Sequence, residues 1–376
     1  MRTRTIPLFK VRMAANASER VARVLQSGYI GQGPIVEQFE AALAEHVAHP
    51  APLALNSATS GLTLALRLIA GDAQDPGDVL TPPITCTATS WAILAARYRI
   101  KCVDTNPADG NMDVVDLRRK LSDTTRAIML VHWGGYPNDL HGVRAAQQEC
   151  FERFGHRPPI VEDAAHAFGA EYDGVRIGGH GNYCVFSFQA IKHVNSGDGG
   201  ALLCPDERQI HRARLMRWYG LDRTTSDVFR CEQDIAEWGY KFHMNDINAA
   251  IGLANLSHIQ DTLRRQNENA THYRRLLADV PGITLLEELP NRRSANWIFT
   301  LLADNRDGLQ TRLRERGVVC GRVHNRNDCY TCAQQFRCDS LPGTDRMHRE
   351  MLCIPVGWWL THEDRDFIVD SIREGW

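Results

Sequence analysis

The 376-residue chain has no run of eighteen apolar residues and no apolar stretch at its start, so neither a membrane-spanning helix nor a secretory leader is expected. It also lacks a basic excess. A formal net charge of −2 leaves no electrostatic footprint for nucleic acid. Eleven cysteines are too sparse for a disulfide scaffold, and Cys102, Cys184 and Cys204 lie in apolar runs, as reduced, buried thiols do. The expected setting is cytoplasmic. No internal repeat and no low-complexity segment interrupts the chain. What is present is an ordinary globular composition, 43% hydrophobic and 23% charged, at a length suited to one large and one small domain.

The most informative stretch is Phe186-Ser-Phe-Gln-Ala-Ile-Lys192-His-Val-Asn-Ser-Gly-Asp-Gly-Gly200. A short apolar run, Val185 to Phe188, breaks into a polar, glycine-rich turn that carries one lysine. Such a lysine is either a solvated loop charge or a functional amine. Partial desolvation at the end of a buried strand lowers an ammonium's pKa and frees its lone pair for Schiff-base chemistry. Ser187, and the small residues from Ser196 to Gly200, let backbone N–H groups approach an anion.

Upstream, Ile160 and Val161 read as the end of a buried parallel strand followed by Glu162-Asp163-Ala-Ala-His166. Asp163 is then a helix N-cap, or a carboxylate at the sheet edge where open α/β sheets bind ligands. It precedes Lys192 by 192 − 163 = 29 residues. A pyridoxal 5′-phosphate site needs this pair: a lysine to hold the cofactor's aldehyde carbon, and a carboxylate to keep its ring nitrogen protonated.

These two stretches, with Gly197-Asp-Gly-Gly200, resemble the DegT/DnrJ/EryC1/StrS family of sugar aminotransferases, which are fold-type I enzymes. The resemblance runs over nearly the whole chain. It implies an α/β fold: a large cofactor-binding domain around a mostly parallel sheet, residues 1–260 with an N-terminal arm, and a small C-terminal α/β domain, residues 261–376. It implies transfer of an amino group, from glutamate, to a keto group of a nucleotide-linked deoxysugar. Lys192, Asp163 and His166 take the catalytic positions, with His166 against the cofactor.

The resemblance extends to further positions. Ser57-Ala58-Thr59, at the start of a helix, matches the phosphate loop, though the family usually has Gly at Ala58. Ser187 joins it. Cys86 stands where the family usually has an aromatic that stacks on the cofactor ring. Lys241 and His243 match an element that reaches the neighbouring subunit's phosphate, which implies a homodimer with shared sites. Tyr29 and Ile30 in the glycine-rich loop Gly28 to Pro34, together with His193, His324 and Asn325, match substrate-contacting positions. Relatives that act as dehydratases carry histidine in place of the lysine. The presence of Lys192 favours transamination over a dehydratase or epimerase, or over a non-catalytic regulator on the same fold.

The remaining chain is read more plainly. Short apolar runs at 100–103, 127–131, 160–161, 185–188 and 201–204 alternate with helical segments, as βαβ units do, and the stretch from Val79 to Thr89 reads as a strand that ends in a hydroxyl-rich turn and enters a helix. Val21, Val24 and Leu25 form one apolar side of an early helix. Pro34 opens another. Trp297, Phe299 and Leu301 alternate as a strand. Thr361 and Asp364 form a capping box. Cys329, Cys332 and Cys338 near His324 and His348 raise the question of a metal. Without a second Cys-x2-Cys, the expectation is a loop over the site and no metal. Arginines between 212 and 235 are interspersed with acids and read as a solvated or interfacial face.

Overall fold

A computed structural model describes residues 5–71, 73, 75–224, 229–336 and 340–376; Cys338 lies outside the described residues. Thirteen strands are described. They are β1 (Leu53–Leu55), β2 (Asp78–Thr81), β3 (Arg99–Cys102), β4 (Thr125–Val131), β5 (Ile160–Asp163), β6 (Glu171–Tyr172) and β7 (Val175–Arg176). Then come β8 (Tyr183–Ser187), β9 (Gly200–Leu203), β10 (Ile283–Leu285), β11 (Arg292–Arg293), β12 (Phe299–Ala303) and β13 (Met351–Ile354). The helices of the first part are α1 (Ala17–Ser27), α2 (Pro34–Ala44), α3 (Ala58–Ala70), α4 (Thr87–Ala95), α5 (Val114–Lys120), α6 (Leu140–Phe154), α7 (Glu207–Met216) and α8 (Asp246–Leu256). The later ones are α9 (Ile259–Leu277), α10 (Arg306–Glu315), α11 (Pro342–Glu350) and α12 (His362–Arg373).

Seven strands form the main sheet in the order β1-β9-β8-β5-β4-β2-β3. Only β9 runs against the rest, since it pairs antiparallel with both β1 and β8 while the other pairings are parallel. Alternation along each strand sends side chains to two separate cores. Leu80, Ile128, Leu130, Ile160 and Phe186 meet α2, α6 and α8; Val79, Met129, Val161 and Val185 meet α3, α4 and α7. Both faces are therefore covered, which is why the strands read as continuous apolar runs.

A second sheet, β10-β12-β13, packs one face on α9, α10 and α12 through Phe299, Leu301, Ile354, Tyr273 and Ile368. Ile6 lies in this same core and pairs with Val318. The capping box at Thr361 forms as expected, with Thr361 and Asp364 exchanging side-chain and backbone bonds. Leu25 departs from its expected side: it is exposed, and α1 buries only Ala17 and Val24.

The expected strand through Trp297 is also corrected. The strand begins at Phe299, and Trp297 lies in a different cluster from Phe299 and Leu301. Asn296, at φ +49°, turns the chain into the left-handed region just before it, and Trp297 N–H donates to the Gly134 carbonyl (2.9 Å) instead of to a strand partner.

Candidate active site

The carboxyl ends of β1, β2, β4, β5 and β8 open on one edge of the main sheet, where each is followed by polar or small residues: Ser57, Thr85 and Cys86, His132, Asp163 to His166, and Ser187 to Lys192. The topology thus collects residues spread over 135 positions of sequence, 57 to 192, on one rim.

Asp163 ends β5 and is paired in register with Val185 of β8. Its Oδ2 accepts from Thr89 Oγ1 (2.7 Å), and Oδ1 accepts from the Ala165 N–H (3.1 Å). The Thr89 hydroxyl is in turn 2.8 Å from that of Thr85. Burial pushes the Asp163 carboxyl above its ordinary value, and the Thr89 and Ala165 donors and the Lys192 charge offset only part of that rise.

Glu162, one residue earlier, faces the other way. Its carboxylate is fully buried and accepts from His132 Nε2 (2.9 Å) and Asn182 Nδ2 (2.8 Å). The Asn138 N–H donates to His132 Nδ1 (3.0 Å), so the ring proton that Glu162 accepts sits on Nε2. Burial alone would raise this carboxyl, but its donors outweigh it and hold it below the usual range.

Lys192 is half-buried as a residue, while its ammonium is packed among protein groups. Nζ lies 3.6 Å from the centroid of the Trp297 ring. Desolvation draws its pKa down to about 7, against the opposing pull of Asp163 and the Cys86 thiol. The same burial and positive neighbours hold His166 well below its ordinary value and His324 at about 3. Burial takes His193 to about 4, and its ring is hydrogen-bonded to the Ala295 carbonyl (3.0 Å). Trp297 is stacked on His166 at 3.8 Å, and the parallel His324 ring lies beside the pair, 5.4 Å from His166 and 6.4 Å from Trp297. His166 Nδ1 is buried without a partner among the described residues.

Ser57 caps α3 by accepting from the Ser60 N–H (3.1 Å). Leu55, Gly200 and Ser187 stand side by side across β1, β9 and β8. A Cβ on Gly200 would come within 2.6 Å of the Ala58 nitrogen, so only glycine lets β9 press against the first turn of α3. Ala58 and Thr59 form that first turn. Cys86 precedes α4, and Asn327 Nδ2 straps across to its carbonyl (3.3 Å) and to Ser90 Oγ (2.8 Å).

The outer candidates are arranged differently. His243 bridges to Leu55 and stacks on Trp218 at 4.2 Å; Lys241 is exposed, its carbonyl accepting from Asn56 Nδ2 (3.2 Å). Tyr29 and Ile30 are both exposed. Asp246 ties the glycine-rich loop to α8 by accepting from the N–H groups of Gly33 (2.8 Å) and Val36 (3.1 Å). Asn325 is exposed and bound to His348 Nε2 (2.5 Å), away from His324. Cys329 and Cys332 are exposed free thiols.

Trp297, Thr89, Thr85, Glu162 and Asn327 escaped sequence reasoning as site residues. A tryptophan next to a lysine turn has no local signal when the two are 105 positions apart, and Thr89 was visible only as part of a hydroxyl-rich turn.

A mostly parallel sheet between two helical layers, with a smaller sheet set beside its ligand edge, is the fold-type I architecture of sugar aminotransferases. The structure of AtS13 from Actinomadura melliaura matches with a TM-score of 0.97 at 46% identity, covering 100% of both chains. The sugar aminotransferase CalS13 from Micromonospora echinospora matches at 0.95 and 43% identity, over 99% of this chain and 100% of that one. A UDP-4-amino-4-deoxy-L-arabinose–oxoglutarate aminotransferase of Shewanella sediminis is 31% identical over 98% of this chain and 97% of its own length. The chain belongs to the DegT/DnrJ/EryC1/StrS aminotransferase family, whose model matches residues 11–373. The family is pyridoxal-phosphate-dependent, and no helix among the described residues is long and apolar enough to cross a membrane.

Proposed function

We propose that this chain moves an amino group from glutamate to a keto group of a nucleotide-linked deoxysugar, with pyridoxal 5′-phosphate held by Lys192, Asp163 and the first turn of α3. The observation that carries the reading is the pairing of a near-neutral amine with a buried carboxylate at the ends of two adjacent parallel strands. The names of relatives supply the substrate class, since the Shewanella protein is an oxoglutarate aminotransferase of a UDP-linked sugar.

The residues present fit the cofactor. The first-turn N–H groups of α3, beside the Ser57 hydroxyl and with Ser187 held near them across Gly200, suit a phosphate. The unpartnered Nδ1 of His166 suits a polar ring substituent. Asp163 is a desolvated carboxylate with lone pairs left over, which favours a cationic partner. Cys86 is offered as one wall of the ring pocket. When bound, pyridoxal phosphate supplies an aldehyde for covalent capture of amines and a ring that withdraws electrons.

The chain's own part is proton handling and orientation. With its pKa near 7, Lys192 is largely a free base in mildly alkaline solution, so Nζ can accept a proton and return it. Asp163 stays oriented because Thr89 and the Ala165 N–H each fix one of its oxygens. The aromatic wall of Trp297, His166 and Trp133 keeps water from the amine. Tyr29, Ile30, His193, His324 and Asn325 remain the proposed substrate contacts. Residues 1–260 and 261–376 are taken as the two domains.

The working unit is proposed to be a two-fold dimer in which Lys241 and His243 complete the neighbour's phosphate site. The exposed apolar residues Met13, Leu25, Tyr29, Ile30 and Trp238 support a covered face. Mixing Lys192→Ala protein with a Lys241/His243 double variant should restore activity above either alone. Subunit exchange without recovered activity refutes the shared site. For the reaction itself, borohydride should fix the cofactor on Lys192, and glutamate with a panel of keto sugars should yield oxoglutarate. A modified peptide on another lysine overturns the assignment.

A further inference from the structure

We propose that Trp297 is the resting place of the free Lys192 amine: a positioning residue whose indole, packed among other rings and tied to both neighbours of the lysine, holds Nζ whenever it carries no covalent partner. The inference rests on the reading of Lys192 as the cofactor-linking residue and adds a device that this reading does not require.

Three observations carry it. The Lys192 ammonium sits 3.6 Å from the Trp297 centroid, whereas the next-shortest ammonium- or guanidinium-to-ring approach described in the chain is 4.7 Å. Among the described residues no oxygen accepts a hydrogen bond from Nζ, which leaves the ring contact beside the longer-range pull of Asp163 and Cys86. Second, the indole cannot swing aside. Phe9 stacks on it at 4.9 Å and 24°, and His166 stacks on it at 3.8 Å and 15°. Third, the segment Ala295–Trp297 is bonded to both chain neighbours of the lysine. Trp297 Nε1 donates to the Ile191 carbonyl (2.9 Å), and the His193 ring bonds the Ala295 carbonyl (3.0 Å).

That segment is held in turn. The N–H groups of Ala295 and Trp297 donate to the carbonyls of Gly135 (3.0 Å) and Gly134 (2.9 Å). Both glycines have positive φ, and a Cβ on Gly135 would meet the His166 carbonyl at 2.6 Å. The grip therefore depends on a close approach that only glycine permits. A free lysine side chain has four rotatable bonds and would otherwise sample the whole cleft. Resting on a fixed ring keeps the amine within reach of the same point each time. The ring returns only part of the hydration it displaces, so the resting amine is also biased toward the free base.

The test titrates Lys192 directly in cofactor-free protein. Limiting acetic anhydride is applied from pH 5 to pH 10, and acetylation of the Lys192 peptide is read by mass spectrometry. Wild type should be half-reactive at about 7. Trp297→Phe keeps an aromatic face and should titrate within about half a pH unit of wild type; Trp297→Leu admits water and should move the midpoint up by about one pH unit or more. A folded Trp297→Leu protein that titrates like wild type overturns the proposal, as does a Trp297→Phe protein that titrates like Trp297→Leu. If Trp297→Leu does not fold, Phe9→Leu removes the ring's backing and should shift the midpoint the same way by less; an unmoved midpoint there also overturns it. Borohydride trapping of the holoenzyme separates the two readings. Cofactor on another lysine defeats the functional assignment, while cofactor on Lys192 with no effect at Trp297 defeats this inference alone.

Discussion

Two neighbouring carboxylates on β5 face opposite sides of the sheet; each has one donor on each oxygen, yet their pKa values move in opposite directions. Glu162 faces a closed network: His132 and Asn182 bond its oxygens, and His132 is itself fixed by Asn138. Asp163 faces an open one: a hydroxyl and a backbone N–H bond its oxygens, its pKa is raised, and the Lys192 charge opposes that rise. A buried carboxylate whose donors outweigh its desolvation is already stabilised as an anion by the fold. One whose desolvation outweighs its donors retains free energy that a cationic partner can recover. The difference separates architecture from chemistry one residue apart.

The comparison can be broken most severely at Asp163. Asp163→Asn preserves shape and the Thr89 contact but removes the charge, so turnover should fall by roughly two to three orders of magnitude, ~3–4 kcal/mol of transition-state stabilisation, with little change in thermal stability. Steady-state kinetics beside a melting curve decides it; near-normal turnover would place the chemistry elsewhere. The converse is Glu162→Leu. Stripping the acceptor from His132 and Asn182 leaves buried donors unmet and should cost about 3–5 kcal/mol of unfolding free energy. Glu162→Gln, which still accepts from His132, should cost visibly less in urea titrations.

A third, smaller effect follows from Lys192. Its folded pKa of about 7 lies below the ordinary lysine value of 10.5, so the unfolded chain binds the extra proton more tightly. That costs stability in full below pH 7 and is relieved as pH rises through 10.5. In cofactor-free protein Lys192→Met should therefore be stabilising at pH 6–7 by about 2 kcal/mol, less than the whole linkage because part of the residue is wet, and neutral near pH 11. A gain independent of pH would show that packing, not charge, is responsible. Smallest of all, Thr89→Val removes one donor from Asp163 and should lower turnover by about fivefold, ~1 kcal/mol. An effect as large as that of Asp163→Asn would mean that Thr89 touches the reacting groups.

The open face of β5 could be read in advance, and the closed one could not. Asp163 and Lys192 each lie a few residues past an apolar run, so the change from apolar to polar residues marks the strand end, and strand ends in parallel sheets converge. The Ser57 cap and the Thr361 capping box are local in sequence and were equally visible. Glu162 gave no sign that it would meet His132, because that contact depends on which strands become neighbours. Trp297 was misread for a related reason. Alternation with Phe299 and Leu301 is what a strand would show, but the positive φ at Asn296 and the bond to Gly134 belong to tertiary packing and leave no period in the sequence. Leu25 fits an apolar stripe and yet is exposed; the folded single chain offers nothing to cover it.

The pairing of Ile6 with Val318 sets a schedule for synthesis. Ile6 leaves the ribosome 318 − 6 = 312 residues before its partner. At roughly 5–20 residues per second, that is a wait of roughly 15–60 s. The main sheet, drawn from residues 53–203, can close in the interval, but the core around Tyr273 and Phe299 cannot. During elongation the nascent chain thus carries a finished rim of strand ends while Lys192 still lacks the segment that grips it. The site is assembled last, from the outside in, and a nascent chain stalled before residue 295 would present the amine without its cradle.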